Sequence, residues 1–241
     1  MKSNWNEISV EQFIELREVE RLPFDSYIDK VIETISIIED VDPIDLEEKT
    51  ASQLISQMKS YDFLKKEPSK NINKEIGSLH FQEFDSFNLA EYIDITYYFG
   101  ESYLDNLCNI CAILYKQKKH DKWNNLITEP YEYDIQERAK MFYSIPITDV
   151  YGIISKFISW KENFENNYAP LFEPDFEADE DYEPTPEDKK EDELEEEKKK
   201  FSWESFVYNL CDGDLTKSDK VLELKLIYIF NMLSMRKTIN G

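Results

Sequence analysis

The sequence predicts a mainly all-α protein: a multi-helix domain and a C-terminal helical hairpin joined by an acidic tether. Three observations predict it. Apolar residues recur at i, i+3, i+4 and i+7 in nearly every apolar cluster, the period of a helix face. Capping residues stand just ahead of those clusters. Residues 173 to 200 hold fifteen Asp or Glu against five Lys, with Pro174, Pro184 and Pro186 among them. So polar a segment cannot bury enough apolar area to offset about 1 to 2 kcal/mol of backbone entropy per ordered residue. The expected organisation is a main helical domain over 1–168, an acidic linker rich in Pro, Glu and Lys over 169–200, and the hairpin over 201–241.

Five pairs have the spacing of a capping box or a close variant: Ser9 with Gln12, Thr50 with Gln53, Asn88 with Glu91, Asp134 with Glu137, and Thr216 with Asp219. In that box the first side chain accepts a free amide hydrogen of the first helical turn and the second reaches back to the cap. A second helix is expected from about Asp25, burying Ile28, Val31, Ile32, Ile35 and Ile38, and ending before Asp42-Pro43, where the residue ahead of proline leaves αR geometry. A third buries Leu54, Ile55, Met58 and Tyr61. Gly100 suits a left-handed C-terminal position, and the helix after it places Leu104, Leu107, Cys108, Cys111, Leu114 and Tyr115 on one face. Pro146 suits the first turn of a further helix that buries Val150, Ile153, Ile154, Phe157 and Phe164. Past the acidic stretch, Trp203, Phe206 and Leu210 form a short helix, Asp212-Gly213-Asp214 turns the chain, and Val221 through Leu233 completes the hairpin. Ile76 to Phe84, where Leu79 and Phe81 alternate with Ser78, His80 and Gln82, is the one strand candidate.

Charge narrows the function. The formal net charge is −23, and the acidic stretch supplies −10 of it, so the foldable parts remain acidic. Phosphate binding draws on Lys and Arg that displace counterions, so neither nucleic acid nor an anionic membrane is an expected partner. No apolar run approaches the roughly 18 residues of a spanning helix, and the start carries no long apolar segment. The chain is therefore expected in the cytosol, with its three cysteines reduced.

The search for chemistry yields no catalytic, cofactor or metal assignment. Cys108-Asn109-Ile110-Cys111 has zinc or redox spacing, but both thiols fall inside the apolar face of a helix and no second pair completes four ligands. Asp212, Asp214, Thr216 and Glu223 fit positions of a calcium loop, yet Lys217 stands where the sharp turn needs Gly. His80 and His120 lack a nucleophile motif, and the five glycines form no phosphate loop. Trp123 and Trp160 are expected in the core. Trp5 and Trp203, near the starts of the two foldable parts, are the candidate partner contacts with Phe13, Phe206 and Leu210.

The segment from Trp5 to Phe13, with the Ile28–Ile38 and Leu54–Leu64 helices after it, resembles the start of tail assembly chaperones of tailed phages. Leu89 to Asp94, Asn109 to Tyr115, Glu129-Pro130-Tyr131 and Arg138-Ala139 resemble a recurrent helical block in virion or assembly proteins of phages that infect Bacteroidetes. Leu210 to Lys217 and Val221 to Leu233 are similar in character to the endings of such proteins. The resemblance implies a non-enzymatic helical protein that binds a tail or other virion component during assembly, located in the host cytoplasm or carried into the virion. A permanent virion structural protein and an acidic DNA mimic are the alternative expectations.

Overall fold

The structure is a computed structural model that describes residues 2–131, 135–172 and 202–240; the acidic stretch 173–200 and the cap expected at Asp134 lie outside them. The described residues are mainly helical, as expected, with a small antiparallel sheet that includes Leu79–Phe81 of the strand candidate and extends beyond it. They divide into two compact units, Met1–Gln82 with Tyr97–Ser159, and Glu83–Thr96 with Trp160–Gly241.

The first unit opens on a 3-10 turn, Trp5–Glu7, and then α1 (Val10–Arg21). Ser9 and Gln12 close both halves of the capping box, at 3.1 and 3.2 Å. α2 (Tyr27–Glu39) follows a Ser26 cap, its first residue two past the expected edge near Asp25, and stops at Asp40 in the left-handed conformation (φ 55°). Pro43 does not merely end α2: with Asp42 as cap it opens a short α3 (Pro43–Glu47), where its missing N–H costs nothing. Thr50 and Gln53 box the start of α4 (Ala51–Met58). α2 packs against α1, α3 and α4 through Val31, Ile35 and Ile38, all buried.

The sheet runs β1 (Glu75–Ile76), β2 (Leu79–Phe81), β3 (Tyr115–His120), β4 (Leu126–Thr128), each antiparallel to the next. Gly77, at φ 59°, turns β1 into β2. The helix expected to run through Tyr115 corrects to α6 (Leu107–Leu114), which passes directly into β3. Tyr115 pairs with Phe81 across β2 and its hydroxyl donates to the Asn73 carbonyl at 2.6 Å, so tertiary pairing draws it out of the helix. Gly100 is another correction: it lies within α5 (Leu89–Ser102) and is not left-handed.

α6 is the centre of the first unit. Leu107, Cys108, Ile110, Cys111, Ala112, Ile113 and Leu114 are all buried. A helix apolar on every face needs neighbours on every side. One is α7 (Gln136–Lys140), whose cap is Ile135. Arg138 of α7 donates to the Ala112 and Tyr115 carbonyls (3.2 and 3.4 Å), filling acceptors left open where α6 ends. The N-terminal strap joins the same unit: Val10 N–H donates to Ile145 O and Ile147 N–H to Ile8 O, both at 2.9 Å. Pro146 precedes a 3-10 turn (Ile147–Asp149) rather than the helix itself, which is α8 (Gly152–Asn167). Gly152 is required there, because a Cβ would lie 2.2 Å from the Lys70 carbonyl oxygen.

In the second unit, Asn88 and Glu91 exchange both box hydrogen bonds at 2.8 Å. Phe84, Phe87, Tyr92, Trp160 and Phe164 form an aromatic cluster, and the Trp160 indole donates to Asp85 at 2.7 Å. A short α9 (Ala169–Phe172) occupies the beginning of the expected linker. Then come α10 (Ser202–Leu210), a 3-10 turn (Leu215–Lys217), α11 (Ser218–Leu222) and α12 (Leu226–Asn240). Thr216 is not the cap expected of it: Asp214 caps the 3-10 turn, and α11 starts at Lys217 without a side-chain cap. Leu89 N–H donates to Leu224 O and Leu226 N–H to Phe87 O, at 3.0 and 2.9 Å.

Two substitutions test this packing by urea unfolding. Ile110→Ala should cost about 2 to 5 kcal/mol as a buried large-to-small change, as should Leu107→Ala, whereas half-buried Asn109→Ala should cost far less. Gly152→Ala should cost about 1 to 3 kcal/mol through overpacking against rigid backbone.

Candidate functional site

α12 carries apolar residues around most of its circumference, and only some of them are covered. Leu226, Ile229 and Phe230 face inward and are buried, with Phe230 4.9 Å from the Phe164 ring. Tyr228, Met232, Met235 and Ile239, spaced by four, three and four residues, are 55, 44, 50 and 71% exposed. That spacing keeps them on one stripe of the helix. Two apolar grooves border the helix. The larger, about 710 Å³, is lined by Leu171, Trp203, Phe206, Phe230 and Leu233, and the other, about 440 Å³, by Leu210, Leu224, Tyr228, Met232 and Ile239. Arg236 belongs to the rim of both. Lys237 beside it donates to the Pro170 carbonyl at 2.6 Å.

The residues expected to contact a partner separate accordingly. Trp203 and Phe206 meet in the larger groove, their rings 5.7 Å apart, and Leu210 lines the smaller. Trp5 packs edge-on to Phe13 and Phe63 at 5.6 and 5.2 Å, its indole donating to Lys66 O at 2.7 Å. Phe13 is fully buried, which corrects its place among the contacts: it offers a partner no surface. Trp123, expected in the core, is instead 71% exposed at the tip of the β3–β4 hairpin. The stripe on α12 was missed because Met232 and Met235 continue the same helical period as the buried residues.

The remaining chemical candidates resolve into packing. Cys108 and Cys111 are buried in α6; burial pushes the Cys108 thiol up to about 12 and the Cys111 thiol well above its usual value, so neither is a ready thiolate. The calcium-loop residues form a turn in which Asp214 accepts from Thr216 Oγ1 (2.6 Å) and pairs with Lys217 (3.2 Å). His80 Nδ1 stands 3.3 Å from Glu75, across β1 and β2. Among the described residues no group of three or more His, Cys, Asp or Glu is placed to hold a metal, and no helix is long and apolar enough to cross a membrane.

One ionic cluster is deeply buried. Glu129 pairs with Arg138 at 2.6 Å and accepts from the Gln117 N–H at 3.0 Å, joining the sheet to α7. Lys116, 4% exposed, lies 5.3 Å from the Tyr131 ring centre. Desolvation, with the nearby Arg138 charge, lowers its pKa to about 8, and Glu129 opposes the shift. These groups lock α6, α7 and β3 together.

Between about pH 8 and the ordinary lysine value of 10.5, the unfolded chain holds a proton at Lys116 that the folded chain has lost. Stability from this group should therefore rise with pH across that window, the penalty being full below it. The thiols of Cys108 and Cys111, whose raised values act in the opposite sense, are common to both proteins, so the difference in urea-unfolding free energy between the wild type and Lys116→Met should shift in favour of the wild type from pH 7.5 through 8.5 to 9.5. Native protein should also resist iodoacetamide at Cys108 and Cys111 at pH 8 and react there only once unfolded, read by mass spectrometry.

Comparison of the chain with protein-family models, with curated proteins and with solved structures gave no match.

Proposed function

We propose that the protein is a non-enzymatic assembly chaperone that holds an amphipathic helix of a phage tail or other virion component against α12. The exposed stripe of Tyr228, Met232, Met235 and Ile239 carries this reading. Water-facing apolar side chains at helical spacing are what a helix-in-groove interaction uses, with anchors at i, i+3 or i+4, and i+7. Methionine suits such a surface because its flexible thioether adapts to different partners. Arg236, shared by both groove rims, supplies charge complementarity: the client helix would carry an acidic residue about one turn from its apolar anchors.

In this reading residues 201–241 act as a helical hairpin that presents the stripe, and the acidic stretch up to residue 200 is the tether that lets it engage a client. The same charge keeps the chaperone and its cargo soluble through self-repulsion. The buried thiols and the ion-paired core groups supply structure rather than catalysis.

The test is a pull-down of the tagged full chain from phage-infected cells, with mature particles analysed by mass spectrometry in parallel. A tail or capsid component should co-purify while the chain is absent from particles; stoichiometric presence in particles would make it a structural part instead. Tyr228→Asp with Met232→Asp, both at exposed positions, should leave the unfolding midpoint nearly unchanged and lower client recovery about tenfold or more. Undiminished recovery would remove α12 from the interface.

A further inference from the structure

The first unit carries two surfaces that complement each other in charge, and neither is used by the α12 reading. One is the tip of the β3–β4 hairpin. Lys118, Lys119, His120 and Lys122 are exposed there, in a chain whose net charge is −23. No ion pair joins any of these lysines to a carboxylate among the described residues. Asp121, the one acid of the tip, is occupied as a turn former: it accepts from the N–H groups of Trp123 and Asn125 at 2.8 Å each. Asn124 at φ 64° completes the turn, and Trp123 projects from it with Lys122 4.1 Å from its ring centre. The turn thus displays an exposed indole with one cation on its ring and more along the adjoining strand.

The other surface is a cleft of about 820 Å³ at α1 and α2, within the size range of enclosed binding sites. Glu11, Glu15, Glu18, Glu33, Asp40 and Asp42 line it, and no Lys or Arg does. Leu22, Phe24, Ile37 and Val41 give it apolar walls. Lys2 reaches its edge only, donating to Gln12 at 2.6 Å. Burial and the like charges of Glu11, Asp40, Glu18 and Glu33 raise the Glu15 pKa, a sign that the repulsion is not relieved within the chain.

We infer that the protein self-associates by seating the cationic, Trp123-tipped hairpin of one copy in the acidic, apolar-walled cleft of another. The indole meets the apolar walls while Lys118, Lys119 and Lys122 face the carboxylates. Global repulsion between acidic chains does not prevent this, because the screening length is about 8 Å at physiological salt and contacts at the interface are far shorter. The two surfaces are different patches, so the contact is head-to-tail: reciprocal exchange closes a dimer, and one-way exchange builds a ring or filament.

The test is sedimentation velocity of the full chain from 1 to 100 μM at about 0.15 M and 1 M salt, with two charge-reversed variants, Lys118→Glu/Lys119→Glu/Lys122→Glu and Glu15→Lys/Glu18→Lys/Glu33→Lys. The wild type should associate at 0.15 M salt and shift toward monomer at 1 M. Each variant alone should be monomeric at 100 μM, and an equimolar mixture should associate again, because the unaltered hairpin of the cleft variant then meets the unaltered cleft of the hairpin variant. A variant that failed to fold as a whole could not take part in that rescue. A monomeric wild type throughout, association unaffected by either variant, or a mixture that stays monomeric would each overturn the inference. Glu47→Gln/Glu48→Gln/Asp105→Asn, a control at exposed acids outside the cleft, should associate as the wild type does; loss of association there would point to general charge and not to the cleft.

Discussion

The first unit depends on one constraint: α6 has no face that can be left in water. Seven of its eight residues are buried, and the polar exception, Asn109, is itself half-buried. Covering such a helix takes several neighbours, and the carbonyls at its C-terminal end need donors as well. Arg138 links the two needs, because one guanidinium meets the Ala112 and Tyr115 carbonyls and pairs with Glu129. The sheet follows from this, since Tyr115 leaves the helix already buried and pairs with Phe81. Breaking the Glu129–Arg138 pair would leave an uncompensated buried charge, a larger loss than the pair itself contributes.

Local signals were legible in the sequence where the physics is local. Ser9 with Gln12, Thr50 with Gln53 and Asn88 with Glu91 each form the reciprocal box their spacing implies, since that motif is decided within four residues. Thr216 misled because a nearer competitor, Asp214, takes its amide first. The passage from Leu114 into β3 could not be read: no Gly or Pro marks it, and Tyr115 continues the helical stripe. Only pairing with a strand thirty-odd residues earlier decides the matter, and a periodicity argument does not see that far. Pro43 shows the converse, a residue read as a stop that also starts the next helix.

Surfaces were harder to read than elements, for a related reason. A helical stripe says which residues share a face but not whether that face is covered. Met232 and Ile239 look the same in sequence as Ile229 and Phe230 on the same helix, yet only the latter pair is buried. Trp203, Phe206 and Leu210 were singled out as candidate contacts, and they line the grooves; Phe13, singled out with them, is fully buried. Trp123 was expected inside on composition alone, whereas a turn built by Asp121 and Asn124 holds it outward. The acidic cleft shared that fate. Among 51 acidic residues, six that converge from α1, α2 and the turn after α2 carry no mark in the linear sequence.

The central claim, that α6 is the enclosed element on which the first unit is built, has a direct measurement in native-state hydrogen exchange of the full chain. If every face of the helix is covered, the amides of Cys111 to Leu114 exchange only when the unit unfolds, with an exchange free energy equal to that from urea unfolding. Exchange of those amides through local opening, several kcal/mol below the global value, would contradict the account.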